Sequence, residues 1–197
     1  MNFLEQPDLE TLKTDLLNMS EAELLNVPMQ SFTKIETPEL IPPLSQPSPF
    51  YRFRQIQLLD CPLEKCFEFF SEAKNLENIT PDILNFKILS QSTPEITEGS
   101  EFVYRLKVKG LPMKWRTKIT KWNPPFQFVD YQMSGPYRVW FHTHSFSQYG
   151  EKTLMIDEVK YILPFGLFGK MFAAKMVEKD VKHIFNHRYY IIKEMLE

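Results

Sequence analysis

Residues 101–119 read EFVYRLKVKGLPMKWRTKI. Apolar and polar side chains alternate before and after the turn at Gly110-Leu111-Pro112, which is typical of two half-buried strands that form a hairpin. Alternate side chains of a strand point to opposite faces, so one face of this hairpin is predicted to line the interior. The residues on that face are Phe102, Tyr104, Leu106, Val108, Met113, Trp115, Thr117 and Ile119.

The two-residue period continues on both sides of this hairpin. Turn signals such as Asn123-Pro124-Pro125 and Tyr149-Gly150-Glu151 separate the segments, and strands this close in sequence pair as antiparallel hairpins. The pattern predicts seven strands, at about 51–59, 85–91, 100–109, 113–122, 126–133, 137–148 and 152–162.

Other segments have the 3.6-residue period of helices. Pro62 opens a short helix, and a second short helix runs over 71–79 until Pro81 ends it. The last element, about 167–196, is a long amphipathic helix whose apolar face includes Val181, Phe185 and Arg188. The order of elements predicts an α+β fold with about seven antiparallel strands, two short helices after the first strand, and helices on one side of the sheet.

The chain divides into two parts in this interpretation. Residues 50–197 form the domain, and residues 1–49 form an N-terminal extension with a short amphipathic helix at 8–18. A second helical turn at 20–25 begins with a capping box, in which Glu23 follows Ser20 by three positions. Six prolines between 28 and 49 predict an extended linker without regular structure. The extension either packs along the domain or recruits a partner.

Composition excludes several classes of protein. The net charge is −2, with 23 basic and 25 acidic residues, which argues against a nucleic acid partner. There is no run of about 18 apolar residues and no signal-peptide pattern at the start, so a cytoplasmic location is predicted. Cys61 and Cys66 match no metal-ligand spacing and are interpreted as buried thiols.

Several stretches resemble the START-like (SRPBCC, helix-grip) superfamily. They are Leu76–Pro81 (LENITP), Trp115–Trp122 followed by PPF at 124–126, Gly135–His144 (GPYRVWFHTH) and Asp157–Pro164 (DEVKYILP). The resemblance covers about residues 50–196 and is to a bacterial cyclase/dehydrase-like or coenzyme Q-binding-like ligand-binding branch. It implies a curved sheet wrapped on the long C-terminal helix, with a cavity between them. Members of this superfamily include carriers, receptors and a few enzymes, so fold alone does not fix function.

The predicted cavity residues fall into two sets. Asp157 shares its strand face with apolar residues and Arg188 lies on the apolar helix face, so the two are expected either to pair or to meet polar groups of a ligand. The residues predicted to line the cavity are Phe102, Tyr104, Trp115, Tyr131, Trp140, Phe146 and Tyr161, and those predicted to orient a ligand are His142, His144, Asp157 and Arg188.

The histidines raise the question of a metal site. His142 and His144, two positions apart on a strand, can chelate a metal ion, and His183 and His187 could complete the set. The helical wheel places the latter pair on the outer side of the helix, so no metal and no cofactor are predicted.

Two segments are predicted to touch a membrane transiently. The outer face of the first hairpin carries six basic residues, and the Phe165–Phe172 segment combines large apolar residues with glycines. A solvated outer face and phenylalanines tucked under the helix are the simpler interpretations. The basic residues are Arg105, Lys107, Lys109, Lys114, Arg116 and Lys118.

The sequence favours a non-enzymatic protein that binds or carries a hydrophobic small molecule, such as a lipid, an isoprenoid quinone or a polyketide. One alternative is a cyclase or dehydratase that uses His142 or His144 as a general base. A second is an interaction module that binds partners through the N-terminal extension. No nucleophile elbow, phosphate loop or metal motif supports catalysis, so enzyme activity is not the favoured hypothesis.

Overall fold

The computed structural model describes residues 8–42, 44–164 and 170–197, with the backbone alone at 170–173. The helices are α1 (Leu9–Leu17), α2 (Glu21–Leu24), α3 (Leu63–Ser71), α4 (Ala73–Asn78) and α5 (Lys170–Leu196), with a 3-10 turn at Asp82–Leu84. The strands are β1 (Gln30–Glu39), β2 (Ser48–Leu59), β3 (Lys87–Gln91), β4 (Glu101–Val108), β5 (Leu111–Asn123), β6 (Gln127–Ser134), β7 (Val139–Tyr149) and β8 (Lys152–Ile162).

All eight strands belong to one antiparallel sheet, in the order β1-β2-β8-β7-β6-β5-β4-β3. The predicted fold class, the two short helices after the predicted first strand and the long C-terminal helix are confirmed. Helix α5 lies against the sheet through Val181, Phe185 and Ile192, and the ring centres of Phe185 and Phe53 are 4.6 Å apart.

The structure corrects the prediction for the proline-rich segment. Residues 30–39, expected to lack regular structure, form β1 and pair with β2 from Gln30–Gln55 onwards. Proline is tolerated here because β1 is an edge strand, and the register slips between Ile35 and Glu39, where Pro38 lies. This strand is the eighth member of a sheet that was expected to have about seven.

The N-terminal helices pack on the convex face of the sheet. Leu12 and Leu16 of α1 and Leu24 of α2 are buried against Ile56 of β2 and Ile156 of β8. Helix α1 begins where Asp8 accepts a hydrogen bond from the backbone of Thr11, and α2 begins with the predicted capping box of Ser20 and Glu23. Residues 8–24 therefore add a layer on the side of the sheet opposite α5.

The β4–β5 hairpin ends in a two-residue turn formed by Lys109 and Gly110. Both residues have positive φ, 52° and 80°, which matches the twist of the flanking strands. The turn projects the hairpin tip toward α5, where Lys109 pairs with Asp180 at 2.6 Å.

Candidate functional site

A cavity of about 900 Å³ lies between the concave face of the sheet and α5, and residues of α3 and α4 close one side of it. Its volume is in the range of pockets that hold small organic ligands. Most of the wall is apolar, with aromatic rings from Phe70, Phe86, Phe128 and Tyr137. A ligand that buries apolar surface here gains about 25 cal/mol per Å².

Seven of the eleven predicted ligand-binding residues lie in the cavity wall. Trp115 and Trp140 meet edge to face with ring centres 5.5 Å apart, and Phe102 stacks on Tyr104 at 5.8 Å. The seven are Phe102, Tyr104, Trp115, Trp140, His142, His144 and Arg188.

Tyr131 does not line the cavity, contrary to the prediction. In the β6–β7 register Tyr131 pairs with Phe141, whereas Asp130 pairs with His142, so Asp130 holds the inward position on β6. The prediction was wrong by one residue, and a shift of one residue moves a side chain to the other face.

Phe146 and Tyr161 point inward but lie behind the cavity wall. Phe146 is enclosed by Phe67 and Phe70 of α3, and Tyr161 by Phe32 of the unpredicted strand β1. Both rings are almost fully buried and contribute to the hydrophobic core.

Four polar side chains form a closed cluster in the wall. The Nε2 atom of His142 is hydrogen-bonded to Asp157 Oδ1 at 2.9 Å, and His144 Nε2 is hydrogen-bonded to Asp130 Oδ2 at 3.0 Å. The remaining ring nitrogens complete the square, with His144 Nδ1 2.9 Å from Asp157 Oδ1 and His142 Nδ1 3.4 Å from Asp130 Oδ2. The two imidazole rings lie side by side, 3.7 Å between centres. Each histidine therefore lies between the two carboxylates.

The cluster distributes charge unevenly. Burial raises the pKa of both carboxyls, but hydrogen bonds from the imidazoles outweigh it and hold the pKa of Asp130 and Asp157 below the ordinary value. Burial also opposes protonation of both histidines. The bonds to Asp130 and Asp157 nevertheless raise the pKa of His144, whereas burial and the charge of His144 lower the pKa of His142. The cluster therefore holds a proton more tightly on His144 than on His142.

Arg188 is buried in the wall but does not pair with Asp157, so the expected structural pair is wrong. Asp157 is satisfied by the two histidines instead. The guanidinium stacks on Phe185 at 5.1 Å and its charge lowers the pKa of Asp130. Its Nε has no hydrogen-bond partner among the described residues, so a buried donor is left unsatisfied in a residue that lines the cavity.

Comparisons place this architecture among known folds. No protein-family model and no curated protein sequence matches the chain. For TTHA0849 from Thermus thermophilus the match has a TM-score of 0.57 and 13% identity, covering 73% of this chain and 98% of that one. A START superfamily protein from Mycobacterium smegmatis matches with a TM-score of 0.55 and 13% identity, covering 74% of this chain and 96% of that one. The di-domain ARO/CYC StfQ from the steffimycin biosynthetic pathway matches with a TM-score of 0.59 and 10% identity, covering 74% of this chain and 50% of that one.

The chain has the START-like helix-grip fold. At these identities the likeness establishes the START-like fold alone, and the site has to be judged on its own geometry.

Sequence reasoning missed Asp130. The signal was present, because Asp130 follows Phe128 by two positions and Phe128 is buried on the inward face of β6. The alternation that places Asp157 inside on β8 also places Asp130 inside on β6. The prediction favoured Tyr131 for its aromatic ring, although Tyr131 lies on the opposite face of the strand.

The solvent-exposed part of the lining defines a mouth, whose large apolar residues are Ile83, Leu111 and Met176. These residues come from the 3-10 turn, the β4–β5 hairpin tip and α5, and their side chains are 77%, 68% and 41% exposed. Lys109 and Asp180, which also line the cavity, pair across this opening. Apolar side chains left in water around a cavity are typical of a surface that meets another apolar phase.

Some of the six basic residues predicted on the outer face of the hairpin lie close to acidic side chains. Arg116 and Lys118 lie within 3.5 and 3.8 Å of Glu101, whereas Arg105, Lys107 and Lys114 are exposed. Lys107 lines the cavity at the mouth. The other predicted membrane segment, Phe165–Phe172, falls outside the residues whose side chains are described. Among the described residues, no helix has the length and apolarity needed to cross a bilayer.

Proposed function

We propose that the protein is a cytoplasmic carrier that binds, without catalysis, an apolar small molecule bearing at least one uncharged oxygen. The observation that carries the proposal is the combination of an aromatic cavity of about 900 Å³ with a buried polar wall, formed by Asp130, His142, His144 and Arg188, in which the Nε of Arg188 lacks a partner among the described residues. The apolar wall supplies most of the binding free energy, and the polar wall sets the orientation of the ligand.

The charges of the polar wall favour an uncharged ligand group. The negative charges of Asp130 and Asp157 are offset by the guanidinium of Arg188 and by the hydrogen bonds from His144, whose pKa is raised, so the net charge of the wall is small. An anionic head group would be attracted by Arg188 but repelled by Asp130, which is 20% exposed. A carbonyl oxygen can accept from Arg188 without this repulsion. Quinones, oxygenated lipids and polyketides share this chemistry.

Two probes of similar shape test the proposal. Decylubiquinone has a decyl chain on an oxygenated ring, and decylbenzene has the same chain on a ring without oxygen. Trp115 and Trp140 in the wall report binding by fluorescence quenching. Both probes should bind, and Arg188→Met should weaken decylubiquinone about tenfold or more because a hydrogen bond from a charged donor is lost.

The matched control is Arg105→Met, which removes an exposed arginine from the outer face of β4 and should leave both affinities unchanged. Binding of neither probe, or equal weakening of both probes by Arg188→Met, would contradict the proposal. In a separate experiment, native mass spectrometry of the protein as purified, followed by organic extraction, would identify the natural ligand.

A transient membrane contact at the mouth is part of this proposal. Ile83, Leu111 and Met176 would insert among lipid tails while the exposed Lys107 and the paired Lys109 face anionic head groups. Such docking lets an apolar ligand move between bilayer and cavity without crossing water.

A second candidate function is an enzyme with His142 as general base. The supporting observation is that His142 lines the cavity, has its pKa lowered by burial, and is oriented by Asp157 through its Nε2. The described lining contains no Cys or Ser that could act as a nucleophile. A change in mass of the extracted compound on incubation with the protein would favour the enzyme over the carrier.

A further inference from the structure

Three side chains of the polar wall converge on one point at the cavity surface. Asp130 Oδ2 is 3.0 Å from His144 Nε2 and 3.4 Å from His142 Nδ1, and one donor atom from each residue lies within 4.8 Å of the others. All three residues line the cavity. Two imidazole nitrogens and one carboxylate oxygen form a donor set that binds divalent transition metals.

A fourth residue supports the histidines from behind. The nitrogens that face away from Asp130, His142 Nε2 and His144 Nδ1, each lie 2.9 Å from Asp157 Oδ1. Metal-binding histidines usually present their second nitrogen to a carboxylate in this way, which fixes the ring and its tautomer. Asp157 is 1% exposed and does not reach the cavity.

We propose that Asp130, His142 and His144 bind a divalent first-row transition metal ion such as Zn²⁺, with Asp157 as the outer carboxylate that orients both imidazoles. Bonds of about 2.1 Å at angles between octahedral and tetrahedral separate neighbouring donors by about 2.9 to 3.4 Å. The two separations from Asp130, 3.0 and 3.4 Å, already match.

The position of His144 Nδ1 fits this assignment. It lies 2.9 Å from Asp157 Oδ1, while Nε2 of the same ring faces Asp130. With a metal ion between His144 and Asp130, the proton moves to Nδ1 and is donated to Asp157. Two positive charges on the metal balance the two buried carboxylates while both imidazoles stay neutral.

Three protein ligands leave coordination positions open toward the cavity. If one oxygen of a bound organic ligand coordinates the metal, Arg188 in the same wall can donate a hydrogen bond to a second oxygen of that ligand. The test of the metal site is separate from the test of the proposed carrier function, because binding of the ion alone is measured in the absence of any organic ligand.

The test is a titration of the chelator-treated full-length protein with Zn²⁺ by isothermal calorimetry, with metal content checked after gel filtration. One Zn²⁺ per chain is expected. Asp130→Asn combined with His144→Gln should abolish this binding, and Asp157→Asn should weaken it about 10- to 100-fold. Circular dichroism establishes that each variant is folded.

The chain offers a control in its other two histidines, His183 and His187 on α5. His183 lines the cavity, contrary to the predicted outer position, but it is not part of the cluster of Asp130, His142 and His144. Four residues apart on a helix, His183 and His187 could chelate zinc adventitiously. The double variant His183→Gln/His187→Gln should retain one Zn²⁺ per chain. Loss of binding in this variant, or a folded wild type that binds no Zn²⁺, would overturn the proposal.

A measurement on the wild type covers the case in which the cluster variants do not fold. In ¹⁵N-edited spectra of the histidine rings, Zn²⁺ should shift the resonances of His142 and His144 and leave those of His183 and His187 in place. Shifts confined to His183 and His187, or none at all, would equally overturn the assignment.

Discussion

At the scale of single residues, Asp157 decides how the polar wall is held together. It is 1% exposed, and it stays ionised because two imidazoles offset the cost of burying its charge. Replacing this carboxylate with an amide removes the negative charge that faces both imidazoles and leaves Asp130 as the remaining carboxylate of the cluster.

We therefore expect Asp157→Asn to lower the free energy of unfolding by more than about 1 kcal/mol, as is typical of a broken buried charge cluster. Urea denaturation of the metal-free protein measures this change. Asp60→Asn, at an exposed aspartate, is the matched control and should change it by less than about 0.5 kcal/mol. An unaltered midpoint for Asp157→Asn would show that the carboxylate is not needed for stability.

The sequence predicted that Asp157 lies inside but not what satisfies it. Strand alternation gives the face of a side chain, whereas its partner depends on the register between strands that are paired through hydrogen bonds. Here His144 is opposite Asp157 in the β7–β8 ladder, and Asp130 is opposite His142 in the β6–β7 ladder. Nothing in the local pattern fixes that register, because it results from the turns between the strands.

At the scale of elements, the mouth of the cavity depends on the β4–β5 hairpin. Its alternation was readable from residues 101–119, and the structure confirms it, whereas the turn lies at Lys109-Gly110 rather than at the predicted Gly110-Leu111-Pro112. The proximity of its tip to α5 could not be read, because it depends on where a helix much later in the chain crosses the sheet. The pair of Lys109 and Asp180 is the result of that crossing.

Leu111→Ser tests the mouth as a membrane-docking element. Leu111 is 68% exposed, and inserting it into lipid would contribute about 1.5 to 3 kcal/mol. The variant should bind phosphatidylglycerol vesicles about tenfold more weakly in a sedimentation assay.

Leu40→Ser changes a leucine of similar exposure, 61%, in the connection between β1 and β2 and serves as the control. If wild type, Leu111→Ser and Leu40→Ser bind vesicles equally well, the mouth does not dock on membranes. High salt should weaken any contribution of Lys107 and Lys109.

At the scale of the whole molecule, the sheet is covered on both faces. Helix α5 and the cavity lie on the concave side, and α1 and α2 lie on the convex side. The sequence indicated the amphipathic helix α1 and its cap. Strand β1 was not predicted because of the prolines in its segment, which are excluded from central strands but tolerated in an edge strand. Whether residues 1–49 unfold together with the domain is a question for denaturation experiments.

Leu16→Ala addresses that question. Leu16 is fully buried between α1 and the sheet, so its truncation should lower the free energy of unfolding by about 2 to 5 kcal/mol if the layer unfolds with the rest. Leu25→Ala, at a leucine that is 74% exposed, should cost less than about 0.5 kcal/mol. A separate early transition in the denaturation curve of Leu16→Ala would instead indicate an independent N-terminal unit.

The position of β8 between β2 and β7 has a consequence for biosynthesis. Strand β2 leaves the ribosome long before Lys152–Ile162, the strand that it pairs with. Until β8 emerges, Leu12 and Leu16 have no complete surface to cover, and one edge of β2 lacks its neighbour. Completion of the sheet must await the synthesis of β8, so the nascent chain is expected to depend on chaperones that shield apolar segments during translation.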